Sequence, residues 1–343
     1  VTLTNVYVGN AESQDISVFA LAADGTLTAI ETVSVPGPAA PGGSLPLAVS
    51  ADRQRLYAAL RNEPWSVAAF SIAPQTGRLA FLGSGPLADS MAYVSLDETG
   101  RHLFAASYGG SKVSVNAIGA DGVPGDVRQV MATEPKAHAI LAAPGNRHVL
   151  ATSLGGDAIH QYRFDPQSGM LSPADPPLSR IAPPGGGPRH FAFAPDARFV
   201  YLLNELDGTV HVLPWNAAEG TLGDDIQSIT AMPAGSTAKP WGADIHVTPD
   251  GRFLYASERT TSTLAGYAID AGTGRLTPLG SFATEAQPRS FAMAPSARHL
   301  LCVGELSNAL TVHAIDPATG ALTALGSTAV GRKPNWVEIV ELS

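Results

Sequence analysis

Charged residues make up only 15% of this 343-residue chain, yet they gather at a few recurring points. His138, the pair Arg189-His190, Asp244 with His246 two residues on, Arg289-Ser290, Lys333 and Asn335-Trp336 each sit at the head of an apolar run. Arg61, Tyr108, Glu205, Arg259 and Glu305 each follow the end of another such run. An imidazole moves protons near neutral pH, and a guanidinium holds anions. A carboxylate set between guanidiniums either orients them or acts as a base whose ionisation they tune. Brought together, such residues suit proton transfer beside a bound anion.

Each residue also has a plainer reading. Glu205 lies among Leu202, Leu203 and Leu206, so its carboxylate needs a partner, and Arg189 or Arg259 can supply it. The plain alternative is a structural ion pair between neighbouring elements, and Arg259 and Arg289 allow the same alternative to an anion clamp. Tyr108 is either a hydroxyl facing the site or a packing residue. The other histidines repeat: His102, His148 and His299 share one position, and His160, His211 and His313 share another. Recurrence away from the polar cluster argues for a structural or solvated role. His138, His190 and His246 break that pattern, but their spacing matches no recognised metal-ligand signature.

The elements that carry these residues repeat at intervals of about fifty residues. FAFAPDARFVYLLNEL (Phe191 to Leu206) and IHVTPDGRFLYASERT (Ile245 to Thr260) are the clearest copies of a strand, a Pro-Asp turn and a second strand. Tyr7, Tyr57, Phe104, Leu150, Tyr201, Tyr255 and Leu301 mark seven units. A third strand and an x-x-G-x-L turn follow in several, as at Gly25, Gly77, Gly169, Gly274 and Gly320. Glycine supplies the positive φ of a tight hairpin. The first unit lacks its innermost strand, and Trp336 to Val340 at the other end can supply it. This pattern predicts one all-β domain over 1–343: a seven-bladed β-propeller of four-stranded antiparallel blades, its ring closed by the C-terminal strand completing the N-terminal blade. In a blade, the start of the first strand and the end of the second lie at the same mouth of the central channel. The polar positions named above are those positions.

Composition narrows the function classes. A net charge of −9 disfavours nucleic acid as a partner. No run of 18 apolar residues is present to span a membrane. Cys302 is the single cysteine, which excludes an internal disulfide, and its place beside Leu301 predicts a buried thiol. Gly185-Gly186-Gly187-Pro188 is glycine-rich, but no helix follows to hold a phosphate, so it reads as an interblade loop. No secretory leader is visible, and the cytoplasm is the default expectation. A closed ring has little need to pair, so a monomer or weak dimer is expected.

At the mouth positions the chain resembles a known family. GGGPRHFAFAPDARFVYLLNEL, WGADIHVTPDGRFLYASERT, ESQDISVF, the SYGG around Tyr108, QPRSF and the closing PNWVEI are similar to signature stretches of the propeller-type bacterial 6-phosphogluconolactonases. The resemblance runs nearly end to end, and the family includes the fungal carboxymuconate cyclases. It implies a seven-bladed propeller without metal or other cofactor that opens or closes a lactone at one mouth. The family's proposed His, two Arg and Glu fall on His138, Arg189, Glu205 and Arg259. Where the family usually has Asp before that last Arg, this chain has Glu258, and the loop 132–137 also departs from the family.

The expected reaction is hydrolysis of a sugar δ-lactone, foremost 6-phosphoglucono-1,5-lactone. Glu205 or His138 is the expected base, and Arg189 with Arg259 the oxyanion stabilisers. His190 is expected as an acid or a substrate contact, and Arg289, Arg61 and Lys333 as phosphate ligands. Tyr108, Asp244, His246 and Trp336 complete the expected substrate contacts. The alternatives are an unphosphorylated aldonolactone or aldarolactone, a muconate-type lactone, a non-catalytic binding propeller and a metal-dependent sugar lactonase.

Overall fold

The structure is a computed structural model that describes residues 3–38 and 43–342. Among these residues the chain forms seven antiparallel sheets and one short 3-10 turn at Leu154–Gly156. Each sheet is a blade. Six inner strands run Leu47–Val49, Met91–Leu96, Ala137–Ala142, Pro188–Phe193, Gly242–Val247 and Pro288–Met293, in blades two to seven. Blade one is assembled from both ends of the chain. Pro334–Leu342 is its inner strand and pairs antiparallel with Leu3–Asn10, in a register running from Leu3 opposite Leu342 to Asn10 opposite Pro334. The expected propeller and its closure are therefore present. Blade five departs in detail: its outer strand is split into Thr221–Leu222 and Gln227–Thr230, which pair with different parts of Thr209–Asn216.

The second strand of each blade is buried on both faces because a neighbouring blade covers each side. Phe253–Glu258 is buried at every position. The outer strands are mostly exposed, as in Leu276–Ala283, because they lie at the rim of the ring. The apolar core is divided into seven clusters, one at each blade interface. The cluster containing Val6, Leu301 and Val337 lies at the interface of blades seven and one.

A recurring clasp links each blade to the next. The hairpin glycines Gly25, Gly77, Gly122, Gly169, Gly220, Gly274 and Gly320 all have positive φ. A Cβ on any of them would strike the preceding blade: Leu325 with His299 just beyond it, Asn5, Arg55, His102, His148, Phe199, or Phe253 with Leu279, respectively. Tyr7, Tyr57, Tyr201 and Tyr255 donate their hydroxyls to the carbonyls of Gly77, Gly122, Gly274 and Gly320, at 2.8, 3.1, 3.0 and 2.7 Å. The recurring histidines His102, His148 and His299 are thus packing residues, as their repetition predicts. The third-strand histidines are bonded locally as well: His160 Nε2 accepts from the Glu134 amide, His211 Nδ1 pairs with Asp225, and His313 Nε2 bonds Thr284. Cys302 is fully buried, and burial pushes its thiol up to about 12.

Candidate active site

The inner strands share an irregularity that sets the site. In blades three to seven the pairing skips at the second position, and the closing strand does the same between Pro334 and Trp336. A bulge adds a residue to one strand and re-aims its side chain. The bulged residues are Ala92, His138, Arg189, Ala243, Arg289 and Asn335. Four of them, Ala92, His138, Arg189 and Arg289, line a cavity of about 190 Å³. Arg61, Tyr108, Glu205, Trp241 and Arg259 complete its wall. Blades two to seven all contribute, so the cavity lies at one mouth of the ring. The topological rule holds: strand starts and strand ends meet there.

Arginines dominate this cavity. Arg189 is fully buried, and its Nε donates to Glu205 Oε2 at 2.8 Å, with a further bond to the Ala243 carbonyl. Arg259 reaches the same Glu205 oxygen at 2.9 Å, bonds the Gly242 carbonyl at 3.0 Å and stacks 3.9 Å over the Trp241 ring. Burial favours a neutral Glu205, but its two arginines outweigh burial and hold the carboxyl below its ordinary value. Arg289 pairs with Glu305 at 3.1 Å. Arg61 donates to the Ser90 and Ser44 hydroxyls at 3.1 and 3.0 Å. Among the described residues it has no carboxylate partner within salt-bridge distance. Burial, then the neighbouring Arg289, lowers Arg61 to about 10; burial, then Arg189, lowers Arg259 to about 9. Both remain charged at neutral pH. Four guanidiniums against two carboxylates leave two positive charges in excess.

His138 is the one imidazole in this wall. Its ring lies 5.8 Å from Tyr108. Nδ1 is buried without a partner, which leaves Nε2 as the nitrogen for the cavity. Burial, then Arg189, holds His138 well below its ordinary value of 6.5. It is a neutral imidazole at physiological pH.

The remaining expected residues lie deeper or aside. His190, Asp244 and Trp336 occupy the position after the bulge, and His246 lies two residues further down its strand. A second cavity of about 230 Å³ is lined by Tyr93, Asp244, His246, Ser290, Trp336 and Glu338, among others. The structure does not bring this group into the mouth cavity. One bulge explains the split: it sends Arg189 to the mouth and His190 down the channel. Lys333 lies outside both cavities, at a positive-φ position whose amide donates to Asn308.

Sequence reasoning missed Trp241, which precedes its strand, and Tyr93 and Glu338 inside the channel. Two-residue alternation from the bulge onward would have found the last two. Among the described residues, no three His, Cys, Asp or Glu side chains are grouped to hold a metal. No helix among them is long and apolar enough to cross a membrane.

Comparison with known proteins agrees with this fold. A 6-phosphogluconolactonase of Pectobacterium carotovorum is 40% identical over 286 residues, 83% of each chain. Another, from Serratia proteamaculans, is 37% identical over 337 residues, 98% of each chain. The structure of a periplasmic gluconolactonase of Pseudomonas aeruginosa superposes with a TM-score of 0.90 at 29% identity, covering 99% of this chain and 100% of that one. The family described as "Lactonase, 7-bladed beta-propeller" matches residues 5–339. With seven blades closed by a shared first blade and an arginine-rich mouth, the chain belongs to this lactonase family.

Proposed function

We propose that the protein hydrolyses a sugar δ-lactone, foremost 6-phosphoglucono-1,5-lactone, in the mouth cavity. The observation that carries this reading is a neutral imidazole set among four guanidiniums in one small cavity. The similar proteins named for this activity support it.

The surroundings of the two candidate bases favour His138. Glu205 shares one oxygen between Arg189 and Arg259, and both charges oppose its taking a proton. Its role is to orient the guanidiniums. His138 is neutral and turns Nε2 to the cavity. It takes a proton from water as the water oxygen attacks the lactone carbonyl. Arg189 and Arg259 face the oxyanion that forms. Each spends its other donors on Glu205 and backbone carbonyls, which fixes its direction before substrate arrives. His138 then returns the proton to the departing ring oxygen. Burial is the first cause of the lowered basicity of His138 and the arginines the second, so an anion bound to the arginines offsets only the second part.

Arg61 is the natural phosphate ligand, because it is charged and, among the described residues, its side chain bonds hydroxyls and no carboxylate. Arg289 is the second. Lys333 drops out, since it does not reach the cavity. A second reading, hydrolysis of an unphosphorylated aldonolactone, rests on the Pseudomonas aeruginosa gluconolactonase.

Turnover of freshly made 6-phosphogluconolactone beside glucono-1,5-lactone, with chelator present, tests both readings. The phosphorylated ring is expected to be preferred. Arg61→Ala should raise its KM by about tenfold or more while leaving the plain lactone unchanged. Equal use of the two rings by the unaltered protein would favour the second reading. Full activity in folded Arg189→Ala, where a loss of about 10²- to 10³-fold is expected, would remove the oxyanion assignment.

A further inference from the structure

Beneath His138 lies a second imidazole whose two nitrogens have unlike surroundings. His190 is 5% exposed. Its Nδ1 sits 2.8 Å from Asp244 Oδ1, and its Nε2 is buried without a partner. Asp244 is 6% exposed and is held in place from several sides. His246 Nε2 lies 3.2 Å from Oδ2, the Ile245 amide donates to Oδ1 and the Phe291 amide donates to Oδ2. Burial opposes its charge, but His246 and His190 outweigh burial and keep Asp244 ionised.

An ionised carboxylate only accepts hydrogen bonds. His190 must therefore carry its proton on Nδ1, and its Nε2 is a lone pair. For His138 to present a basic Nε2 to the cavity, its own proton must sit on Nδ1. That nitrogen is also buried without a partner. The two ring centres are 5.1 Å apart at 65°. One ring thus holds an unspent donor and its close neighbour an unspent acceptor.

We propose that His190 and Asp244 are positioning residues for the lactonase reaction. They form a His138–His190–Asp244 relay that fixes the tautomer of His138 and spreads the positive charge it gains. This rests on His138 being the base. When His138 Nε2 takes the water proton, its Nδ1 proton shifts toward His190 Nε2, and the His190 Nδ1 proton stays on its bond to Asp244. When Nε2 returns its proton to the ring oxygen, the shift reverses, so the relay neither gains nor loses a proton. The carboxylic acid product then ionises to water. The groups facing His190 fit this role: burial and then Arg189 on its own strand keep it neutral, Asp244 and His246 stand on blade six, and Tyr93 and Trp336 pack their rings at 5.1 and 6.2 Å. Burial, then Arg189, lowers His190 to about 4. Glu338 on the closing strand supplies the remaining nearby acid, raised to about 7 by burial.

The test is Asp244→Asn, with His190→Gln as a second variant and His138→Gln as reference. Steady-state kinetics, imidazole nitrogen resonances and thermal melting are measured for each. Asp244→Asn is expected to fold and to lower kcat by roughly 10- to 10⁴-fold, the upper end being the loss when Asp behind a catalytic His becomes Asn. KM should stay within about twofold, since uniform binding is untouched. The Nδ1–H tautomer of His138 should be depleted. Wild-type kcat and an unchanged His138 tautomer in either folded variant would overturn the relay. A loss expressed in KM alone would do the same and return these residues to substrate binding. If Asp244→Asn does not fold, His190→Gln decides the matter by the same readouts. An inactive His138→Gln beside active relay variants would leave the base assignment standing without the relay. An active His138→Gln would instead remove the base assignment itself.

Discussion

His138 owes its chemistry to what surrounds it more than to its own type. Burial and the neighbouring arginines favour its neutral form, the form that accepts a proton. The sign of the pH effect follows. A base whose pKa is lowered stays active through neutrality and below 6.5, and loses activity only on further acidification. The acid limb of kcat/KM should therefore fall below pH 6.5; a limb above that value would contradict the assignment of His138. His138→Gln should lower kcat by about 10²- to 10⁴-fold at pH 7 with the fold retained, as measured by turnover beside a melting curve. The residue types were legible from their positions. Arg61, Tyr108, His138, Arg189, Glu205, Arg259 and Arg289 do share one cavity. What sequence spacing hides is direction: Arg189 and His190 are adjacent, and the bulge between them separates mouth from channel. The sequence offers Arg189 or Arg259 as the partner of Glu205, but not that both, from two blades, meet one oxygen.

The strand-and-hairpin unit explains both the precision of the site and the spacing of the repeat. Each blade offers a glycine hairpin to the one before it, and a tyrosine hydroxyl often reaches back to that glycine's carbonyl. Tyr255→Phe removes the 2.7 Å bond to Gly320 and leaves a buried carbonyl without its donor. A loss of about 1–3 kcal/mol is expected, read from urea midpoints. Gly320→Ala should cost more, because its φ is +72° and an added Cβ would come within 2.5 Å of the Phe253 ring. The glycine turns are visible in the sequence, since only glycine takes that backbone conformation without strain. Their contacts are not visible. His102 and Phe199 occupy equivalent places against equivalent turns, and no pattern of residue type links them. The split outer strand of blade five was likewise unreadable, as its pieces are short and polar.

The molecule as a whole depends on one non-local pairing, Leu3–Asn10 with Pro334–Leu342. That strand also carries Trp336 and Glu338 into the channel, so closing the ring and completing the channel are one event. Val340→Asp, at a position only 4% exposed, should lower the melting temperature and loosen the seam without touching the mouth. Closing so long a loop adds little free energy, about 0.6 kcal/mol for each doubling of length, but an open seam exposes strand edges that any matching strand can pair with. The matching strand exists in every other copy of the chain. At high concentration a loosened ring should exchange its last strand with a neighbour's, giving dimers in sedimentation that dissolve on dilution and refolding. The strand that makes the molecule a closed ring thus also makes it capable of strand exchange, and the affinity of the seam for its own chain sets the concentration at which that begins.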